Sequence, residues 1–253
     1  MLRQPRRVKT TNTMRIIYGF DNIPHIDHPV ITVGSYDGVH QGHQVLINQT
    51  ISRAKKRGGQ SVVLTFEPHP RITLGKDEGL KLLTSLEEKA LLLERCGVDF
   101  LLVIPFDIAF SRLTNEQFLN DYLIGKLHAE EIIIGYNHHF GHNKSGDYNY
   151  LSSSTLEVTQ VEQQRVESDK VSSTVIRAVI ASGDMEGANR LLGHTYIIIG
   201  ESDSSGTITT DRYKLLPPDG SYSAIVNGEK SSVNIYGNTL CTEVKSQKVT
   251  IEL

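Results

Sequence analysis

The chain has 253 residues and a formal net charge of −3 at pH 7, and 38% of its residues are hydrophobic. This composition supports a sizeable core in one large domain or two unequal ones. The lack of a strong basic excess argues against nucleic acid as the main partner. No apolar run is long enough to span a bilayer, and Cys96 and Cys241 share no metal or redox spacing. We therefore expect a cytoplasmic protein with no membrane partner, while the oligomeric state is left open.

The N-terminal segment is basic and lacks the apolar centre of a secretory signal, so we expect residues 1–13 to form a disordered leader. Beyond it, the apolar runs "VITV", "SVVLTF", "DFLLVIPF" and "EEIIIG" predict strands that are buried on both faces. Helical patterns separate these runs, and "SLEEKALLLERCG" begins with a capping box formed by Ser85 and Glu88. The alternation predicts an α/β domain at residues 14–193 with a doubly wound parallel sheet, which binds ligands beyond the carboxyl ends of its strands.

The pattern changes near Gly193. The following segments are short, rich in Val, Ile, Thr and Tyr, and separated by Gly, Asn and Asp. They predict a small antiparallel β module at residues 194–253. A module of this size is small for an independent core.

The stretch "GSYDGVHQGHQ" lies between the strand "VITV" and a helix that we expect to begin near Gly42. The strand would deliver His40 and His43 to the edge of the sheet, where the helix N-terminus adds unpaired amide donors. Gly34 and Gly38 would let the backbone approach a ligand closely. Because imidazoles can gain charge near pH 7, the stretch predicts a phosphate site. Half of a metal site is the alternative.

A second motif, "SSTVIR", places hydroxyl groups before a predicted helix and Arg177 in its first turn. A cation there opposes the helix dipole, so an arriving anion would explain its position. The alternative is an ion pair between Arg177 and a nearby carboxylate, Asp169 or Glu167.

These two motifs occur in order with "TFEPHP", "IIIGYNHHFGHNKSGD" and "SGDMEGANRLLG". Together they resemble the FMN adenylyltransferase module of bacterial bifunctional riboflavin kinase/FAD synthetases, in the nucleotidylyltransferase superfamily. The resemblance extends from about Val30 to Gly193. It implies a Rossmann-like fold and a reaction in which ATP and FMN give FAD and pyrophosphate, with Mg²⁺ accompanying ATP.

The resemblance also implies residue roles. His40, His43 and Arg177 would be catalytic, acting on the phosphates of ATP. The residues implied for ATP binding are Gly34, Ser35, Tyr36, Asp37, Gly42, Ser173 and Thr174. The residues implied for FMN binding are Phe66, Pro68, His69, Pro70 and Asn137. Asn137 stands where many relatives carry an acidic residue, and its amide oxygen is a candidate Mg²⁺ ligand.

The tail resembles a riboflavin kinase barrel only in part, through "LLGHTYIIIGE" and "KLLPPDGSYSAIVNGE". Where that family carries a Pro-Thr-Ala-Asn motif, this chain has "SDSSGTITTDRY", and it ends before the expected catalytic glutamate. We therefore expect a truncated remnant whose kinase activity is lost and whose strand edges are unpaired.

Two other functions stay open at this point. One is a non-catalytic regulator that binds flavin or nucleotide, which the altered tail would fit. The other is nucleotidyl transfer to a different small phosphate, against which "TFEPHP" argues.

Overall fold

The structure is a computed structural model that describes residues 13–162, 165–166, 169–244 and 248–253, without the side chains of 165, 166, 169 and 170. Residues 1–12 of the expected leader lie outside this part. A six-stranded parallel sheet forms the first half of the molecule, in the order β1-β4-β3-β2-β5-β6. Its strands are β1 Arg15–Tyr18, β2 Val30–Val33, β3 Ser61–Glu67, β4 Phe100–Pro105, β5 Glu131–Gly135 and β6 Glu157–Val161. The predicted α/β class is confirmed.

Helices and turns connect these strands. They are α1 Gln41–Arg57, α2 Pro70–Thr73, α3 Leu86–Cys96, α4 Ile108–Ser111, α5 Asn115–Gln117 with a π-helix at Phe118–Lys126, a 3₁₀ turn at His142–Lys144, and α6 Tyr148–Ser152. A short ribbon of β7 Arg165–Val166 and β8 Asp169–Lys170 leads to α7 Ser173–Ala181 and α8 Met185–Leu192. Ser85 and Glu88 form the predicted capping box of α3. Within the described ranges, every helix is too short or too polar to cross a bilayer.

Both faces of the sheet are covered, as the continuous apolar strands predict. Side chains of β3 alternate between the faces: Leu64 packs in the core on the side of the π-helix, and Val63 in the core on the side of α1 and α3. The strand β2 pairs with β3 on one side and with β5 on the other. The chain order therefore reverses between β2 and β5, so a crevice for ligands is expected beyond the ends of these two strands.

The C-terminal module is a closed antiparallel barrel with the order β10-β13-β12-β11-β14-β9. Its strands are β9 Ile197–Ser202, β10 Thr207–Thr209, β11 Gly220–Val226, β12 Glu229–Tyr236, β13 Thr239–Thr242 and β14 Val249–Glu252. The expectation of unpaired strand edges is wrong. The last strand pairs with both β9 and β11, so six short strands suffice for closure.

A buried ion pair fastens the barrel to the α/β half. Lys214 donates from Nζ to Glu88 Oε2 at 2.7 Å, to the Leu83 carbonyl at 2.8 Å and to the Ile197 carbonyl at 2.7 Å. The other oxygen of Glu88 accepts from the amide of Ile199 in the barrel at 2.8 Å. Both charged side chains are almost fully buried, so their polar atoms depend on these partners.

We predict that Lys214→Met lowers the free energy of unfolding by about 3–5 kcal/mol, because it leaves the carboxylate of Glu88 buried without its counter-charge. Urea denaturation followed by circular dichroism measures the loss. Lys248→Met is the control, since it removes an exposed ion pair with Glu87 across the same interface and should lower stability by about 1 kcal/mol or less. Equal losses in the two variants would show that burial of the pair is irrelevant.

Candidate active site

The first phosphate motif is organised around the N-terminus of α1. His40 is the N-cap residue, and its Nδ1 accepts a hydrogen bond from the backbone amide of His43 at 3.4 Å. The two imidazole rings stack with centroids 3.6 Å apart and planes 17° from parallel. With Nδ1 of His40 accepting, the neutral ring carries its proton on Nε2 and can donate from there. The motif therefore presents imidazole donors beside the free amides of a helix terminus.

Both imidazoles are neutral in this structure. Burial lowers the pKa of His40 to about 4, from an ordinary value of 6.5. Burial also lowers the pKa of His43 well below that value, and the neighbouring His40 and Lys89 lower it further. The expectation that these two imidazoles become protonated near pH 7 is therefore wrong for this structure, because desolvation opposes the charged form.

Tyr36 packs against the His43 ring of this pair. Its ring meets the ring of His43 edge-on at 5.1 Å, and its hydroxyl lies 2.5 Å from Thr32 Oγ1. Thr32 Oγ1 also donates to the Ile133 carbonyl on β5 at 2.8 Å, so this contact sits where the sheet order reverses. Burial raises the pKa of Tyr36, and only 2% of the residue is exposed. Tyr36 thus supports His43 from the core instead of lining a ligand path.

The second phosphate motif converges on the first through Asp37. Arg177 donates from Nη2 to Asp37 Oδ2 at 2.6 Å, and Ser173 Oγ donates to the Asp37 backbone carbonyl at 3.0 Å. The alternative partner Glu167 and the side chain of Asp169 lie outside the described part of the chain. In the structure Arg177 therefore pairs with Asp37, a partner that the local sequence pattern did not indicate.

Asp37 is buried and its oxygens are occupied. Besides Arg177, it accepts from the amides of Leu83 and Thr84 at 2.8 and 3.0 Å. Gly38 follows with φ +84°, and a Cβ at Gly38 would lie 2.6 Å from a methyl carbon of Leu83. Only glycine fits that position, because the conformation is left-handed and the loop before α3 packs directly against it. Asp37 therefore holds its neighbours in position, and it also lines the cavity between the loop after β3 and the barrel.

A nucleotide-sized cavity of about 320 Å³ opens between the two motifs. Its walls include His40, Gly42, His43, Leu46, Gly135, Tyr136, Asn137, Val161, Glu162, Val171, Ser172 and Ser173. Thr174 is exposed at the same helix turn. Two buried nitrogens, His43 Nδ1 and Arg177 Nε, have no hydrogen-bond partner among the described residues. Because buried polar atoms are normally paired and His43 lines the cavity, its orphan nitrogen makes this cavity a candidate ligand site.

An aromatic cavity of about 570 Å³ lies beside the nucleotide cavity. Phe66, Phe106, Phe110, Phe118 and Phe140 line it, together with Gly34, Ser35, His69, Pro70, His138 and His139. The rings of Phe66 and Phe106 meet edge-on at 5.4 Å, and those of Phe106 and Phe110 at 5.8 Å. Flat apolar walls with few polar groups suit a planar ring system.

Sequence reasoning found Phe66 and missed the other phenylalanines. Phe66 and Phe106 lie near the carboxyl ends of the adjacent parallel strands β3 and β4, as the terminal Phe of "SVVLTF" and "DFLLVIPF" could have indicated. Pro68 lines a third cavity on the barrel side of its loop, and Asn137 lines the nucleotide cavity. Among the described residues, no cluster of three or more His, Cys, Asp or Glu side chains could hold a metal ion.

The fold and the site define a class: a doubly wound α/β domain in which the N-termini of α1 and α7 line one cavity near the reversal of the sheet, followed by a β-barrel. The sequence profile of the FAD synthetase family matches residues 23–175. The chain belongs to the FAD synthetase family.

Curated relatives support this membership. A bifunctional riboflavin kinase/FMN adenylyltransferase of Listeria monocytogenes is 40% identical over 175 residues, which is 68% of this chain and 55% of the relative. The protein of the same description in Escherichia coli strain K12 is 32% identical over 193 residues, 74% of this chain and 62% of the relative. That of Bacillus subtilis is 33% identical over 233 residues, 81% and 73%. The chain thus spans little more than half the length of the Listeria relative.

Among solved structures, a Streptococcus pneumoniae protein described as a macrolide-efflux protein superposes with a TM-score of 0.81 at 25% identity. The superposition covers 94% of this chain and 98% of that one. The likeness therefore includes the barrel as well as the parallel sheet.

The lowered pKa of His40 predicts a pH dependence of stability. Because the unfolded chain takes up this proton at a higher pH, stability falls as the pH drops below about 6.5. Asparagine can replace histidine as a neutral helix cap that does not titrate. We expect wild type to lose about 2 kcal/mol more than His40→Asn between pH 7 and pH 5, measured by urea denaturation. The same loss in both proteins would show that His40 titrates normally.

Proposed function

We propose that this chain is an FMN adenylyltransferase that transfers AMP from ATP to FMN, giving FAD and pyrophosphate. The observation that carries the proposal is the junction at Asp37, where Arg177 and Ser173 meet the loop that leads into the His40–His43 pair. Family membership supports the substrates, and the aromatic cavity beside the nucleotide cavity supports a planar acceptor. The proposed division places this activity in residues 14–193.

The reaction is a substitution at the α-phosphorus of ATP. An oxygen of the FMN phosphate forms the new P–O bond, the bond from the α-phosphorus to the bridging oxygen breaks, and pyrophosphate leaves with that electron pair. Charge grows on the α-phosphate oxygens and on the leaving group, so the protein has to supply positioned donors in a desolvated site.

The described residues can supply those donors. His40, His43 and the amides at the start of α1, near Gly42, would face the α- and β-phosphates. Arg177, Ser173 and Thr174 would hold the leaving group from the start of α7. Arrival of negative phosphates would also raise the pKa of both imidazoles, which burial holds low in this structure. Charge on the histidines would then develop only with substrate in place.

The loop after β3 would bind the flavin. Phe66, His69 and Pro70 line the aromatic cavity together with Gly34 and Ser35 from the end of β2. In this proposal the isoalloxazine ring would lie among the phenylalanines, and the phosphate would point towards the end of β2. Pro68 would hold the loop from its other side, where it faces the barrel.

Magnesium fits the site as a companion of ATP. The amide oxygen of Asn137, on the wall of the nucleotide cavity, is a suitable ligand, and the substrate phosphates would supply most of the others. Mg²⁺ would neutralise part of the triphosphate charge. We further propose a cytoplasmic location, which the two free cysteines, Cys96 and Cys241, support, and no nucleic-acid or membrane partner.

Incubation with Mg-ATP and either FMN or riboflavin, followed by chromatography of the flavins, tests the proposal. We expect FAD from FMN. We expect no product from riboflavin, because Arg212 and Tyr213, in the segment that replaces the kinase motif, are hydrogen-bonded to Lys81 and Asp77 in the loop before α3. Tight FMN binding without turnover would favour a regulator, and turnover of another phosphate acceptor in place of FMN would reject the flavin specificity.

His43→Ala should lower the rate of FAD formation by about two orders of magnitude, because it removes a preorganised donor at the reacting phosphate. The measurement is kcat with saturating substrates, accompanied by a melting curve to verify the fold. His25→Ala is the matched control, since that imidazole is exposed on a loop. Wild-type kcat in the His43 variant would assign the ring a packing role only.

Phe106→Ala should raise KM for FMN roughly tenfold, because the ring forms one wall of the aromatic cavity and contacts Phe66. KM for ATP should stay unchanged. Tyr18→Ala, which truncates an exposed aromatic side chain on β1, is the control. A parallel rise in both KM values would mean that the cavity shapes the whole cleft and does not bind the flavin specifically.

A further inference from the structure

Lys89 is a buried cation without a salt bridge among the described residues. It lies on α3 and is 5% exposed, and its Nζ donates to Thr65 Oγ1 at 3.1 Å. Among the described residues it forms no ion pair, in contrast to the equally buried Lys214 with its partner Glu88. Burial lowers the pKa of Lys89, and the negative charges of Asp37 and Glu67 compensate for this only in part. Buried charges are normally paired, so a partner from outside the chain is expected.

The side chain faces a third cavity of about 460 Å³ between the loop after β3 and the barrel. Its walls include Phe66, Glu67, Pro68, His69, Thr84, Lys89, Asp211, Arg212, Tyr213 and Lys214. Phe66 and His69 line both this cavity and the aromatic cavity. The two cavities therefore adjoin at these two side chains.

The other charges on these walls have partners or lie apart from Lys89. Asp37 is held by Arg177, and Asp211 caps the amide of Tyr213 at 2.7 Å. Arg212 lies over the ring of Tyr213, 4.6 Å from its centre. Glu67 forms no ion pair with Lys89; burial raises the pKa of its carboxyl, and the charge of Lys89 offsets this only in part. Among the described residues, Lys89 is thus the cation on these walls that has neither an ion pair nor an aromatic ring against it.

The field of Lys89 reaches the reacting groups. Its positive charge contributes to the lowered pKa of His43 on one side and to that of His69 on the other. The ammonium group therefore lies within electrostatic range of both the nucleotide motif and the flavin loop. In the proposed reaction, the phosphate groups of the two substrates would meet near these elements.

We propose that Lys89 is a further anion-binding residue of this site, and that it holds a phosphate group at the junction of the cavities. The group is either the phosphate of the flavin substrate or the pyrophosphate product, which share the same chemistry. The inference rests on the proposed adenylyl transfer. Without an anion, the buried head group of Lys89 has a single hydroxyl as its hydrogen-bond partner. A bound anion would give it a charge-assisted hydrogen bond.

Lys89→Met in the full chain tests the inference. Methionine has a similar shape, and the melting temperature should be unchanged or higher, because the substitution removes an unpaired buried charge. We expect kcat/KM for FAD formation to fall roughly 10- to 100-fold, the usual effect of losing a hydrogen bond to a charged group. Lys56→Met, an exposed lysine on α1, makes the same change in net charge and should leave kinetics unchanged.

Two further measurements identify the anion. A rise in KM for FMN with unchanged pyrophosphate affinity assigns the flavin phosphate. Weaker binding of inorganic pyrophosphate, measured by calorimetry with KM for FMN unchanged, assigns the leaving group. Pyrophosphate binding does not require turnover. Its measurement therefore tests anion binding by Lys89 even if the chain makes no FAD.

Three outcomes would overturn the inference. One is a folded Lys89→Met protein with wild-type kinetics and wild-type pyrophosphate affinity. Another is a marked fall in its melting temperature, which would show that the charge stabilises the fold. The third is a wild-type protein that neither makes FAD nor binds pyrophosphate. A wild type that binds pyrophosphate through Lys89 without making FAD would refute only the proposed function.

Discussion

The buried carboxylate of Asp37 joins the two phosphate motifs to each other and to the loop before α3. One oxygen holds Arg177, and the other accepts from the amides of Leu83 and Thr84. The residue is 3% exposed, so each of these partners is needed to compensate its charge. The arrangement also explains why a cation is tolerated near the start of α7, where Arg177 is the fifth residue and not part of the first turn. Asp37 neutralises the guanidinium from one side, and the Nε of Arg177 has no hydrogen-bond partner among the described residues.

The electrostatics of the cleft follow from burial. His40 stays neutral because desolvation outweighs the carboxylate of Asp37. Burial also keeps His43 neutral, and the charge of Lys89 further opposes its protonation. Positive potential therefore comes from Arg177, Lys89 and the N-termini of two helices. Neutral imidazoles contribute directed N–H donors. In the proposed reaction, donors fixed in this way would need little rearrangement when negative charge grows.

The sequence predicted those features that are local. Apolar runs located four strands of the sheet because a strand that is buried on both faces has to be apolar throughout. The strands β1, β6 and β13 were missed, since they have only four or five residues and mixed polarity. The contact between Asp37 and Arg177 joins residues 140 positions apart, and no local pattern encodes it. The pKa of His40 depends in the same way on packing that only the folded chain reveals.

The barrel shows how a small module gains a core. Its inward residues Ile198, Val233 and Ile251 belong to one hydrophobic cluster with Ile176 and Ile180 of α7. The topology changes near residue 193, but the hydrophobic core continues across that point. Since α7 carries the second phosphate motif, the barrel supports the buried face of the helix that positions it. Lys214 adds a second connection, because it binds the carbonyl of the same residue whose amide holds Asp37. A barrel without kinase chemistry would still be needed to hold the cleft in its present shape.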